Sequence, residues 1–257
     1  MTFYVIKARR ILPVALALVI AVAAVFIILM STSEVLGVFN GRNNDLPIYS
    51  VDGPNKVVSI TFDCAWGADD IPDILTTLKK ENIKATFFVL GQWAQKNPEM
   101  IKMMAMDGHD TANHSQSHFK MGALSGEKIR EEIDLCGQKL SEITGNKPDL
   151  FRAPYGDYNN DVVRIARELG YYTIQWDVDS LDWRPGISQS EIMNRIVTKV
   201  KPGSIILFHN DTPHTARMLP NIISALKNNG YEFLPVSKLI MRDNYYIDFD
   251  GTQRRNK

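Results

Sequence analysis

The residues able to do chemistry are few and widely separated. His114 and His118 stand four apart, a spacing that on a helical turn points both imidazoles to one side, where two nitrogens can reach one metal ion. Taken alone, an HxxxH pair is a weak signal for which two surface histidines are the default reading; its place at a strand mouth opposite Asp63 and Cys64 favours the metal. Asp63 and Cys64 end one β-rich run, Arg152 lies in another, and Asp179, Asp182 and Trp183 follow a third. His209 closes a fourth. A carboxylate, an imidazole and a guanidinium beside a metal pair would divide the labour of a hydrolysis: a base, an acid, and a cation that fixes the base. Each also has a plainer reading, with Asp63 as a helix-capping acid, His209 as a packed strand-end histidine and Arg152 as an ion-pair partner. Cys64 is either a thiolate ligand, which would favour zinc, or a buried thiol. A Cys64–Cys136 disulfide is disfavoured because Cys136 falls inside a helical pattern.

These residues need elements to hold them, and the chain supplies an alternation of strands and helices. Short runs rich in β-branched and aromatic residues occur at 57–62, 85–90, 110–113, 150–154, 172–178, 204–209 and 231–236. Amphipathic helical patterns lie between them. Ile71, Ile74, Leu75 and Leu78 share one face, and Ser125 and Gly145 bracket a long helix. Such alternation implies right-handed βαβ units and a parallel sheet. Seven units favour a closed or nearly closed barrel, with an open doubly wound sheet as the other possibility. No glycine-rich dinucleotide fingerprint follows the first strand. In a barrel the strand ends meet on one rim. That rim gathers Asp63, Cys64, His114, His118, Arg152, Asp179, Asp182 and His209.

Twenty-nine basic residues balance 29 acidic ones, which argues against a nucleic-acid partner, and two cysteines cannot form a disulfide scaffold. The balance hides two unlike parts. Residues 1–30 carry Lys7, Arg9 and Arg10 and no acid, leaving 26 bases against 29 acids in the remainder. Residues 11–30 are uncharged and apolar, long enough as a helix to cross a bilayer. A cleaved signal peptide and a buried core helix are the alternatives. The cations before the span predict a cytoplasmic N-terminus (1–10), a single-pass transmembrane signal anchor (11–30) and an extracytoplasmic remainder. The expected order is then a stalk over 31–54, a catalytic domain over 55–240 and a tail over 241–257.

Five ordered motifs over about residues 56–240 resemble the polysaccharide deacetylase family, the NodB-homology domain of carbohydrate esterase family 4; the Thr61-Phe62-Asp63-Cys64-Ala65-Trp66-Gly67 stretch, the expected anchor and the short ectodomain look most like its PdaB-like sporulation group. The five motifs are Thr61-Phe62-Asp63-Cys64, Asn113-His114-Ser115-Gln116-Ser117-His118, Arg152-Ala153-Pro154-Tyr155, Asp179-Ser180-Leu181-Asp182-Trp183 and Ile205-Ile206-Leu207-Phe208-His209. The resemblance implies a distorted (β/α)7 barrel and divalent-metal-dependent removal of acetyl groups from N-acetylated glycans such as peptidoglycan. It makes Asp63 the base, Arg152 its orienter, His114 and His118 metal ligands, and His209 the acid supported by Asp182 or Asp179. Tyr155 would offer a backbone N–H to the oxyanion, while Trp183 and Leu207 line the acetyl and sugar groove. Trp66 and Trp183 are also candidates for stacking on sugar faces. Cys64 stands where the family pattern has an acid that serves as the third metal ligand; with Cys64 in its place, zinc is the metal implied. The other reading of that substitution is a weak or inactive glycan-binding wall protein.

Overall fold

The computed structural model describes residues 45–53 and 55–256. Residues 45–257 make one compact unit. The expected anchor at 11–30 lies outside the described residues, and among these no helix is long and apolar enough to cross a membrane.

The centre is β2 (Val57–Cys64), buried along nearly its whole length, as a strand covered on both faces must be. It pairs in parallel with β3 (Thr86–Val89) on one side and β8 (Ile205–His209) on the other. The sheet extends from β3 through β4 (Asp110–Asn113), β5 (Leu150–Phe151) and β6 (Tyr172–Thr173), and from β8 to β7 (Val178–Asp179). Every pairing along this path is parallel. Helices pack outside it. The helix Ile71–Lys80 turns Ile71, Ile74, Leu75 and Leu78 inward, while Gly126–Thr144 begins at the Ser125 cap and stops at Gly145, whose φ of 76° suits glycine. Between helices and sheet lies the main apolar core, where Phe62 stacks on Phe87 with ring centroids 4.9 Å apart.

The seven parallel strands form a half-barrel rather than a closed one. The run 172–178, expected as one strand, is split into β6 and β7, which occupy opposite edges of the sheet. Ile48 explains the gap: its N–H donates to the Thr173 carbonyl and its carbonyl accepts from Gln175 N–H, so it takes the edge of β6. The run 231–236 supplies only β9 (Glu232–Phe233), paired with the first residues of β2.

Residues 45–51 of the expected stalk and 245–255 of the expected tail are folded. β1 (Ser50–Val51) pairs with β11 (Thr252–Arg255), which pairs with β10 (Tyr245–Ile247). Ile48 and Gln253 are buried. Residues 45–51 and 245–255 are therefore part of the domain, because the strand-edge hydrogen bonds of each are satisfied by the other.

Candidate active site

Alternation along the strands decides what faces the half-barrel. On β2, Val58, Ile60, Phe62 and Cys64 point outward into the apolar core, whereas Thr61 and Asp63 point inward. On β8, Ile206 and Phe208 point outward, and Leu207 and His209 line a cleft. Asp63 and His209 are register partners on adjacent strands. A cleft of about 640 Å³ opens above them, walled by Trp66, Tyr155, Trp176 and Trp183 and by Asp211 and Thr212. Trp66, Tyr155 and Trp183 are each about half exposed, which is unusual for side chains so large and places apolar faces where a ligand can lie.

Arg152 is completely buried below the cleft. One guanidinium nitrogen donates to Asp63 Oδ1 at 2.6 Å and Thr61 Oγ1 at 2.9 Å, and the other donates to the Gln175 carbonyl at 3.0 Å. The guanidinium also lies over the Phe88 ring, 3.9 Å from its centroid, with the Trp176 ring at 5.4 Å. Burial alone would push the Asp63 carboxyl up, but Arg152, His114 and His209 outweigh it and hold the group below its ordinary value. Asp63 is thus a fixed, ionised carboxylate with its second oxygen turned to His114 Nε2, 3.6 Å away.

His114 and His118 come together, with ring centroids 5.3 Å apart. A helical turn does not do this. The loop after β4 is non-helical, with Ser115 at φ 68° and His118 at φ 61°. Its N–H groups are held by side chains: Ser115 N–H donates to Asn113 Oδ1, His118 N–H to Ser115 Oγ, and Ser117 N–H to the buried Glu132 carboxylate. His114 Nδ1 faces the Arg152 carbonyl at 2.9 Å, so Nδ1 carries the proton and Nε2 presents a lone pair. Burial keeps both imidazoles neutral, pushing His118 down to about 4. Buried His118 Nδ1 has no hydrogen-bond partner. Such nitrogens suit a divalent metal.

Cys64 does not join them. It is fully buried in the core cluster on the opposite face of β2, and burial, followed by Asp63 and Asp70, pushes its thiol well up, away from the thiolate that binds zinc. Here the strand alternation carries through to its last residue, so Asp63 has the inward position and Cys64 faces the core. Among the described residues no three His, Cys, Asp or Glu side chains group closely enough to cage a metal. The residues present therefore fit a two-imidazole site whose remaining positions are open.

His209 Nδ1 bonds Asp182 Oδ1 at 2.8 Å, while Asp182 Oδ2 accepts the His209 backbone N–H at 2.7 Å and the Thr215 hydroxyl at 2.5 Å. Burial would lower the His209 pKa, but Asp182, then Asp63 and Asp179, outweigh it and raise it. Of the two acids expected behind His209, Asp182 makes the bond. Asp179 lines the cleft and accepts Leu181 N–H.

Five of the seven non-glycine residues with positive φ among those described (Ser115, His118, Tyr155, Leu181 and Asp211) sit in the loops around this cleft. Strain of this kind persists where surrounding contacts enforce it, as they do at functional sites. Several contributors escaped sequence reasoning. Trp176 both walls the cleft and covers Arg152, Gln175 and Thr61 anchor that arginine, and Asn210 ties the Trp66 loop by donating to the Trp66 and Gly67 carbonyls. Only the aromatic character of Trp176 offered a signal.

Comparison with known proteins agrees with this geometry. The pattern of the polysaccharide deacetylase family matches residues 50–174. A peptidoglycan-N-acetylglucosamine deacetylase of Bacillus cereus is 36% identical over 198 residues, covering 75% of this chain and 92% of that protein. The uncharacterized protein YlxY of Bacillus subtilis is 34% identical, and this chain spans 60% of its length and 76% of its own. Among solved structures, a family 4 carbohydrate esterase pseudoenzyme from Bacillus anthracis superposes with a TM-score of 0.73 at 32% identity, covering 82% of this chain and 73% of that one. The B. subtilis deacetylase PdaA gives 0.71 at 29% identity, covering 76% and 85%. The half-barrel, the paired dyads and these relatives together place the chain in the polysaccharide deacetylase family.

Proposed function

We propose that this chain is a polysaccharide N-deacetylase that hydrolyses the acetamide of peptidoglycan aminosugars, anchored by residues 11–30 with its cleft outside the cytoplasmic membrane. The observation that carries the chemical reading is the pair of dyads: Asp63 held ionised by Arg152 and His209 held basic by Asp182, on adjacent strands beneath one aromatic-walled cleft. Anchoring rests on the apolar run and its preceding cations. A role in sporulation rests on the motif resemblance alone.

Asp63 Oδ2, not engaged by Arg152, takes the proton of a water attacking the acetamide carbonyl. Arg152 keeps the other oxygen fixed, so the free one needs no reorientation. His209 carries Nδ1–H toward Asp182 and presents Nε2 to the cleft, where its raised proton affinity lets it protonate the departing amine. The Tyr155 backbone N–H is the donor assigned to the developing oxyanion. Trp66, Tyr155 and Trp183 hold the sugar faces. His114 and His118 would hold a divalent metal, which when bound acidifies water and polarises a carbonyl. Zinc suits two imidazoles, though without the Cys64 thiolate the donor set no longer singles it out.

A second reading, a glycan-binding protein of little or no turnover, is favoured by one observation: Cys64 is committed to the core, leaving the metal site a protein ligand short. The pseudoenzyme among the similar structures is consistent with it. Acetate release by the full chain from N-acetylglucosamine oligomers and muropeptides, with zinc or another divalent metal added, separates the two. Release that disappears in Asp63→Asn supports the deacetylase. Glycan binding with no release in any metal supports the second reading.

A further inference from the structure

Thr215 is a buried hydroxyl that none of the five sequence motifs contains and that the mechanism above does not use. It opens the helix Thr215–Asn228 and is 2% exposed. Its Oγ1 donates to Asp182 Oδ2 at 2.5 Å and accepts from Thr212 Oγ1 at 2.7 Å, and Thr212 lines the cleft. Asp182 itself is 1% exposed. Its two oxygens have different partners: Oδ1 takes the imidazole, and Oδ2 takes the His209 backbone N–H and the threonine hydroxyl. A continuous hydrogen-bonded line thus runs from the cleft wall through Thr212, Thr215 and Asp182 to the His209 ring.

We propose that Thr215 is a positioning residue that fixes the Asp182 carboxylate and, by drawing charge onto Oδ2, moderates the hold of Oδ1 on the His209 proton. The inference rests on the reading of His209 as the acid. An acid held too strongly by its carboxylate cannot release its proton to the departing amine, and a donor on the far oxygen of that carboxylate is a direct way to weaken the hold. A hydrogen bond to a charged acceptor is among the stronger ones in a protein, and in a buried network its effect passes to the next bond. The remaining charged groups facing His209 do not touch Thr215's oxygen. They are Asp63 on β2, Asp179 on β7, His114 and His118 across the cleft, and Arg195, which reaches the Asp179 carbonyl.

The test is the titration of the His209 ring by NMR in the full chain, histidine-labelled, solubilised in detergent and stripped of metal, with the resonance assigned by His209→Gln. Thr215→Val removes the hydroxyl and keeps the shape, Thr215→Ala removes it without a branched carbon to crowd Asp182, and Thr215→Ser keeps it. The expected midpoint rises by about half a unit in Val and Ala, roughly a threefold gain in proton affinity, and stays at the wild-type value in Ser. A midpoint unchanged or lowered in Val and Ala, in chains that still unfold cooperatively, overturns the proposal, because the hydroxyl would then have no moderating hold on the His209 proton. The titration needs no turnover. A chain that releases no acetate yet shows the rise would refute the deacetylase reading and leave the tuning of His209 standing.

Discussion

Replacing Arg152 with methionine removes the guanidinium while keeping an unbranched stem between Phe88 and Trp176, where the side chain now packs. What is lost is a buried ion pair at 2.6 Å and the donors to Thr61 Oγ1 and the Gln175 carbonyl. What is left is a carboxylate with 6% exposure and no cation beside it. Breaking a buried pair from one side costs about 3–5 kcal/mol, which for a domain of this size lowers Tm by roughly 10 °C. The pH dependence has a definite sign. In the wild type Asp63 lies below its ordinary 3.8, so its stabilisation is full above that value and is lost as pH falls through the lower folded one. Without Arg152, burial raises the folded pKa, and the variant takes up a proton and recovers as pH falls. Urea unfolding at pH 7.5 and pH 4.5 should therefore show a large deficit at the first and a smaller one at the second. The double variant Asp63→Asn/Arg152→Met should be more stable than Arg152→Met alone at pH 7.5. A deficit below about 1 kcal/mol, or one that grows toward acid, would refute the reasoning.

Other outcomes follow from the same geometry. Asp182→Asn leaves His209 to its burial, so its pKa falls, the alkaline limb of the pH–rate profile moves to lower pH, and kcat drops by about 10²–10⁴; a limb that stays in place would show that Asp182 does not support the ring. Trp66→Ala and Trp183→Ala, both on half-exposed rings, should each raise KM for glycan oligomers roughly tenfold, about 1.4 kcal/mol, with Tm nearly unchanged. Calorimetric zinc titration should give Cys64→Ser a Kd within about twofold of wild type, and His118→Ala a much weaker one because one of two donors is gone. A large loss in Cys64→Ser would place the sulfur on the metal after all.

The fold was legible where periodicity was long and unambiguous. The helix Ile71–Lys80 carries its apolar face, and Gly126–Thr144 its caps, in plain residue spacing. Barrel closure was not legible, because the interruption comes from Ile48, a residue far away in sequence that takes the edge of β6. Local propensity has no information about which distant segment will satisfy an edge. At the site, motif order pointed to Asp63, Arg152, Asp182 and His209, and the structure joins them as two dyads. Cys64 was open between a thiolate ligand and a buried thiol, and the structure takes the second: it follows Ile60 and Phe62 into the core, while Thr61 and Asp63 turn inward. The histidine spacing suggested a helix, yet two left-handed residues bring the rings together instead. Trp176 offered only its aromatic character as a signal, and Thr215 was out of reach, since nothing in its surroundings along the chain marks it.

Free amine formation on intact peptidoglycan measures the central claim most directly. The full chain with zinc is incubated with N-acetylated peptidoglycan beside Asp63→Asn and His209→Gln variants that bind the glycan equally well. Amines should accumulate with the wild type and fall by at least about 10²-fold in both variants. Equal amounts from all three, or none from the wild type in any metal despite binding, would contradict the assignment of this cleft to acetamide hydrolysis.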